Sequence, residues 1–307
     1  CYSDRKNWVI ERRLLMAKAV KIGEKWVGNE YPTYVVAEIG INHNGDLDIA
    51  KRMIKAAKET GVDAVKFQKR TPELCVPPEQ RNVMRETPWG YISYLDYRRK
   101  IEFGEQEYDE IDRYCKELGI DWFVSVWDES AVDFMEKYQP IAYKVPSAAL
   151  TDHSLLRHLR RTGRPLILST GMSTMEQIRK AIEVIGLEGV VICHTTSAYP
   201  CDPDELNLRM IQTLKSEYDC PIGYSGHEVG LIPSVVAVAL GACLVERHFT
   251  LDRAMWGSDQ AASVEPGGFE RLVKYIRVTE MALGDGVKKV YDSEIPILKK
   301  LRRVQDS

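Results

Sequence analysis

The 307-residue sequence predicts a (β/α)8 TIM barrel, and three observations carry that expectation. Eight short runs rich in β-branched residues alternate with amphipathic stretches of helical period. The runs are apolar along most of their length, so both faces need cover, which βαβ crossovers provide and hairpins do not. An open doubly wound sheet shares this alternation, but its glycine-rich dinucleotide fingerprint is absent. GINHNG (residues 40–45) stands where GxGxxG would follow the first strand.

Taken in order, residues 1–19 are polar and basic and read as a poorly ordered N-terminal extension, with Met16 as an alternative start and no apolar core of a signal peptide. The barrel domain is placed at residues 20–290, with strands at 34–40 (YVVAEIG), 64–68 (AVKFQ), 122–127 (WFVSVW) and 142–147 (AYKVPS). The second half follows with 165–171 (PLILSTG), 190–197 (VVICHTTS), 221–226 (PIGYSG) and 242–250 (ACLVERHFT). Helical patterns fall at 48–60, 105–118, 130–138, 154–161, 174–185, 206–216, 232–239 and 269–283. Gly61, Gly119, Gly163 and Gly241 come just after four of them, where a helix stops. Residues 69–104 form one long insertion whose Arg and aromatic content suits an active-site lid or an interface, and residues 291–307 are a basic and apolar tail.

Composition narrows the function. A net charge of -3 gives no general attraction to nucleic acid or an anionic membrane, and no run approaches the roughly 20 apolar residues of a membrane span. Seven scattered cysteines without CxxC spacing argue against a disulfide scaffold and a zinc ribbon, so reduced thiols in a cytoplasm are expected. Cys193, inside a strand, reads as core.

A barrel carries its active site at the C-terminal ends of its strands, and polar residues crowd there. They include Glu38, Asn42 and His43 after the first strand and Lys66 and Gln68 on the second. Lys144 and Ser147 follow on the fourth, Ser169 on the fifth, and Thr195, Ser197 and Tyr199 on or after the sixth. Ser225, His227 and Glu228 end the seventh, and Glu246 and His248 the eighth. Two lysines inside apolar strands make a cradle for a phosphate and a carboxylate if both point inward; the alternative is that each pairs with a buried carboxylate such as Glu38. His227 and His248 end adjacent strands and can share one metal ion, with oxygen ligands completing a site that suits Mn2+ or Mg2+ better than structural Zn2+.

AEIGINHNGD (37–46), VKFQ (65–68), LSTGM (168–172), GYSGH (223–227) and ERHFTLDR (246–253) resemble the N-acetylneuraminate (sialic acid) synthase family, from about residue 20 to residue 283. The resemblance implies a divalent-metal enzyme, in keeping with a homodimer, that joins C3 of phosphoenolpyruvate to the aldehyde of an open-chain amino sugar. Water adds and phosphate leaves by C–O cleavage. It implies His227 and His248 as metal ligands with Glu38 beside them, and Lys66, Gln68, Lys144, Ser147 and Ser225 as the phosphoenolpyruvate cradle. Tyr199, and with it Ser197 and Asn42, fall to substrate binding.

The chain departs from the pattern in four places. Ala149 stands where KxxSGE has its sugar-binding glutamate, Ser197 replaces the Asn of TNxYP, and Val126 stands for a phosphate-side Thr after the third strand. The family's C-terminal antifreeze-like domain, which lends an arginine to the neighbouring subunit's sugar pocket, is also not expected here; either another polypeptide supplies that contact or Arg81, Arg85, Arg98 and Arg99 of the insertion substitute for it. Two other readings stay open: a Schiff-base aldolase using Lys66 or Lys144, and an inactive sugar-binding barrel.

Overall fold

The computed structural model describes residues 19–304, so the N-terminal extension up to residue 18 lies outside it. Eight parallel strands close a barrel: β1 (Tyr34–Gly40), β2 (Ala64–Lys69), β3 (Asp121–Val126), β4 (Tyr143–Val145), β5 (Leu166–Ser169), β6 (Val190–Thr195), β7 (Ile222–Gly226) and β8 (Leu244–His248). Each strand pairs with the next in sequence and β8 pairs with β1, so the expected (β/α)8 fold is present.

Eight helices alternate with the barrel strands: α1 (Leu47–Glu59), α2 (Glu105–Leu118), α3 (Glu129–Glu136), α4 (His153–Arg161), α5 (Met175–Ile185), α6 (Met210–Glu217), α7 (Ile232–Ala239) and α8 (Pro266–Leu283). Local chemistry starts several of them. The side chains of Asp46, Asp128, Asp152 and Thr174 each accept a hydrogen bond from a backbone N–H in the first turn of α1, α3, α4 and α5. Among the described residues no helix is long and apolar enough to cross a membrane.

Side chains alternate across each strand, and this divides the apolar core in two. Val35, Ala37 and Ile39 of β1 and Val65 and Phe67 of β2 point outward and pack with Met53, Ile54 and Ala57 of α1. Tyr34, Val36, Ala64, Phe123, Ile167, Val191 and Leu244 point inward and form a floor inside the barrel. A hairpin of two short strands, Val20–Ile22 and Lys25–Val27, inserts Val20, Ile22 and Val27 into that floor and plugs the N-terminal end.

Strand ends are shorter than the sequence suggests. The fourth and eighth strands, expected at 142–147 and 242–250, are Tyr143–Val145 and Leu244–His248. Ser147–Ala149 coils into a 3-10 turn, and Phe249 leaves the ladder to bridge Val264. The Phe249 N–H still donates to the Glu38 carbonyl of β1, while the His248 carbonyl and the Thr250 N–H bond to Val264 in the loop beyond. The insertion is ordered: a hairpin (Met84–Thr87 and Gly90–Ser93) leads into a helix (Tyr94–Ile101). Its Trp89 and Tyr97 pack against Trp256 from the loop after β8, with ring centroids 6.2 Å and 5.4 Å apart.

Candidate active site

Above the apolar floor the inward positions turn polar and surround one cavity of about 210 Å³. The strand register builds this ring: Glu38 lies opposite Lys66, Gln68 opposite Ser125, Ser125 opposite Lys144, Thr195 opposite Ser225, Ser225 opposite Glu246, and His248 opposite Glu38. Ser147, Ser197, Tyr199 and His227 reach the same cavity from the loops. The strand-end candidates line it apart from Asn42, His43 and Glu228: His43 stacks on Phe103, and Glu228 is held by Arg247, Ser234 and Tyr224.

Asn42 is a correction. Its Nδ2 donates to the Phe249 carbonyl and to Ser263 Oγ, both at 2.8 Å, so it ties the loop after β1 to the loop after β8. Gly40 (φ +57°) turns the chain away from the barrel axis just before it. A Cβ at Gly40 would lie 3.1 Å from Glu38 Oε1 and 3.2 Å from Gln68 Nε2, the two groups that meet there in a 3.1 Å hydrogen bond.

The lysines satisfy both of the alternatives left open by the sequence, since they line the cavity and are paired. Lys66 Nζ is 2.8 Å from Glu38 Oε2 and 3.5 Å from Glu246 Oε1; Lys144 Nζ is 2.7 Å from the same Glu246 oxygen. Ser225 Oγ donates to that oxygen at 3.0 Å. All four charged side chains are at most 5% exposed, so their mutual compensation is what makes burial tolerable. Burial pulls the Lys66 ammonium down, but the Glu246 and Glu38 carboxylates outweigh it and hold the group above its ordinary value. Burial alone would lift the Glu246 carboxyl; Lys144 and Lys66 instead hold it well below the usual carboxylate range.

The imidazoles stand together on the facing side, with ring centroids 5.4 Å apart. His227 Nδ1 donates to the Thr196 carbonyl at 2.8 Å, which leaves Nε2 with its lone pair. Burial first, and then neighbouring His248, lower its pKa to about 3, so the ring is neutral and able to ligate. His248 Nδ1 is buried without a hydrogen-bond partner and lies 3.8 Å from Asp259 Oδ2. Among the described residues no three His, Cys, Asp or Glu side chains are grouped to hold a metal ion by themselves. The donor set therefore fits an ion held by two imidazoles, with its other positions left to oxygens from substrate or solvent. Tyr199 covers the pair, its ring 4.0 Å from that of His227.

On the wall near β5, Ser147 Oγ accepts from the Gly171 N–H at 3.1 Å, and Ser197 Oγ is buried with no partner. A Cβ at Gly171 would lie 2.2 Å from Ser197 Oγ and 2.7 Å from Ser147 Oγ, so only glycine lets the two hydroxyls converge. An unpartnered buried hydroxyl beside a cavity is a ready donor for a bound anion.

Several participants were named as polar strand ends but given no role, and others were missed. Glu246 is the hub of the lysine network; its position two residues before His248 on one strand already puts both on one face. Ser125 and Trp127 line the cavity, whereas Val126, read as the phosphate-side position, points outward into the helix-packing layer. The alternation in WFVSVW carried that signal. Ala149 also packs in the outer layer, and Ala148 takes the place on the cavity wall. Trp127 has the Arg70 guanidinium 4.0 Å over its ring.

Comparison with known proteins bears on the family and the fold. The chain is 40% identical over 282 residues to the N-acetylneuraminate-9-phosphate synthase of Homo sapiens, covering 90% of this chain and 78% of that one. It is 35% identical over 290 residues to the N,N'-diacetyllegionaminic acid synthase of Legionella pneumophila, covering 92% and 82%. The crystal structure of an N-acetylneuraminic acid (sialic acid) synthetase from Leptospira borgpetersenii in complex with citrate superposes with a TM-score of 0.83 at 29% identity, covering 94% of this chain and 99% of that one. The NeuB family model matches residues 53–288, most of the barrel, and with relatives this similar over nine-tenths of its length the chain belongs to the NeuB family.

Proposed function

We propose that this chain condenses phosphoenolpyruvate with the aldehyde of an open-chain amino sugar, such as N-acetylmannosamine or its 6-phosphate, and releases phosphate and a nonulosonic acid. The observation that supports it most is the facing of two carboxylate-tied lysines and two imidazoles across one cavity of about 210 Å³. The named synthases among its relatives support an enzymatic transferase of this kind.

In this reading Lys66 and Lys144 hold the carboxylate and phosphate of the donor, and the Ser147, Ser197 and Ser225 hydroxyls fix its orientation. Glu38, opposite His248 in register, orients the sugar or the incoming water. Tyr199 closes the sugar side. C3 of the donor bonds to the aldehyde carbon, water adds at C2, and the C2–O bond to phosphate breaks.

Charge counting favours a cation in the cavity. Imidazoles apart, its charged side chains Lys66, Lys144, Glu38 and Glu246 cancel, so a multiply charged donor needs further positive charge. A divalent ion such as Mn2+ or Mg2+ held by His227 and His248 supplies that charge and Lewis-acid polarisation of the aldehyde. A Schiff-base mechanism needs a neutral amine, and Lys66 is held protonated between two carboxylates, which weighs against the aldolase reading.

Phosphate release from phosphoenolpyruvate, measured with a panel of N-acetylhexosamines and their 6-phosphates, tests the proposal. We expect release only with a suitable amino sugar, loss with EDTA and recovery with Mn2+. Silence across the panel with metal present contradicts it.

A further inference from the structure

A second cavity, of about 300 Å³, lies between the insertion and the loop after β8. Ser258 and Asp259, adjacent in the chain, touch residues of both cavities. Ser258 lines the second cavity and donates to Asp259 Oδ1 at 2.7 Å, while Asp259 Oδ2 is 3.8 Å from His248 in the first.

Arg98 lines this second cavity at only 4% exposure. Its Nε and Nη2 are buried without hydrogen-bond partners, and among the described residues it forms no ion pair. A guanidinium stays charged at any ordinary pH, so leaving its donors buried and unanswered is costly unless an anion visits them. Arg85, on the exposed side of the same cavity, stacks over the Tyr94 ring at 4.0 Å. Glu86 lines the cavity too but pairs with neither arginine. Tyr97 and Trp256, packed edge to face at 5.4 Å, add an apolar wall against which the C–H face of a sugar can lie.

The geometry points to this cavity as the seat of a terminal phosphate on the amino sugar, with Arg98 taking the phosphate and Arg85 flanking it. The inference rests on the condensation proposed above and takes the sugar to extend from an aldehyde beside His248 past Asp259 towards Arg98. It makes the sugar phosphates, rather than the free sugars, the better substrates. An arginine from the insertion then supplies charge to the acceptor pocket from within this chain.

The test is calorimetric titration of N-acetylmannosamine 6-phosphate and of N-acetylmannosamine into the full chain, Arg98→Met and Arg85→Ala, with kcat/KM measured for each sugar. The wild type is expected to bind the 6-phosphate the more tightly. Arg98→Met is expected to weaken 6-phosphate binding by about 10- to 100-fold, the range for a lost charged hydrogen bond, and to leave the free sugar unaffected. Arg85→Ala, on an exposed side chain that the fold tolerates losing, is expected to give a smaller loss on the 6-phosphate alone, and it decides the matter if Arg98→Met does not fold. Equal affinity for the two sugars in the wild type, or equal losses on both in the variants, overturns the assignment. Arg98-dependent binding without phosphate release from phosphoenolpyruvate leaves this site standing and removes the condensation; release with the free sugar alone does the reverse.

Discussion

His43 shows how one residue here trades charge for packing. It is buried, stacks on Phe103 with ring centroids 3.9 Å apart, and accepts the Gly45 N–H at Nδ1. Burial lowers its pKa from the ordinary 6.5 to about 3. Between those values the unfolded chain binds a proton that the folded chain refuses, so stability is lost as pH falls from 6.5 towards 3. From pH 7 to pH 5 this one group should remove about 2 kcal/mol. His43→Phe keeps the stack and deletes the proton site. Urea unfolding at both pH values should show a drop smaller by that amount in the variant; equal drops would show that His43 does not refuse the proton.

At the scale of elements, the strands present the site and the N-terminal hairpin supports it from below. Ile22 is fully buried among the inward residues of the barrel floor, at the end opposite the cavity. Ile22→Ala should cost about 2–4 kcal/mol of stability, typical for truncating a packed core side chain, while KM for phosphoenolpyruvate stays within about twofold. Denaturant unfolding beside steady-state kinetics checks both; a stability change below about 1 kcal/mol contradicts the plug. Neither hairpin strand was legible in the sequence, because three residues are too few for alternation to register. The barrel strands were legible because each lies in a β-rich run followed by a helical pattern, four of which end at a glycine; even three-residue β4 was found through the longer run at 142–147. The last residues of the fourth and eighth strands were over-assigned, since β-rich composition continues through Ser147 and Thr250 after the ladder has ended.

Over the whole molecule, the site was readable wherever it follows strand periodicity. Glu38, Lys66, Gln68, Lys144, Ser225 and His248 share the inward phase, and the closed barrel makes them neighbours without further information. What depends on loop path was not readable. Asn42 and His43 sit in the same polar run as Glu38, yet the turn at Gly40 sends both into structural bonds. The burial of Arg98 depends on how the insertion meets the loop after β8, and nothing in its local sequence distinguishes it from exposed Arg99. Pairing of Lys66 with Glu38 was one of the alternatives the sequence offered and joins the neighbouring strands β1 and β2, whereas pairing of both lysines with Glu246 emerges only when the barrel closes, because β8 lies far from β2 and β4 along the chain.

The most direct measurement is mass spectrometry of reactions containing phosphoenolpyruvate, an amino sugar and Mn2+, comparing the wild type with Lys66→Met and His248→Ala. A nine-carbon acid built on an N-acetylhexosamine, appearing one for one with inorganic phosphate in the wild type and absent in both variants, is the predicted result. The same acid formed by either variant at the wild-type rate would contradict the claim that the lysines and imidazoles of this cavity carry the reaction.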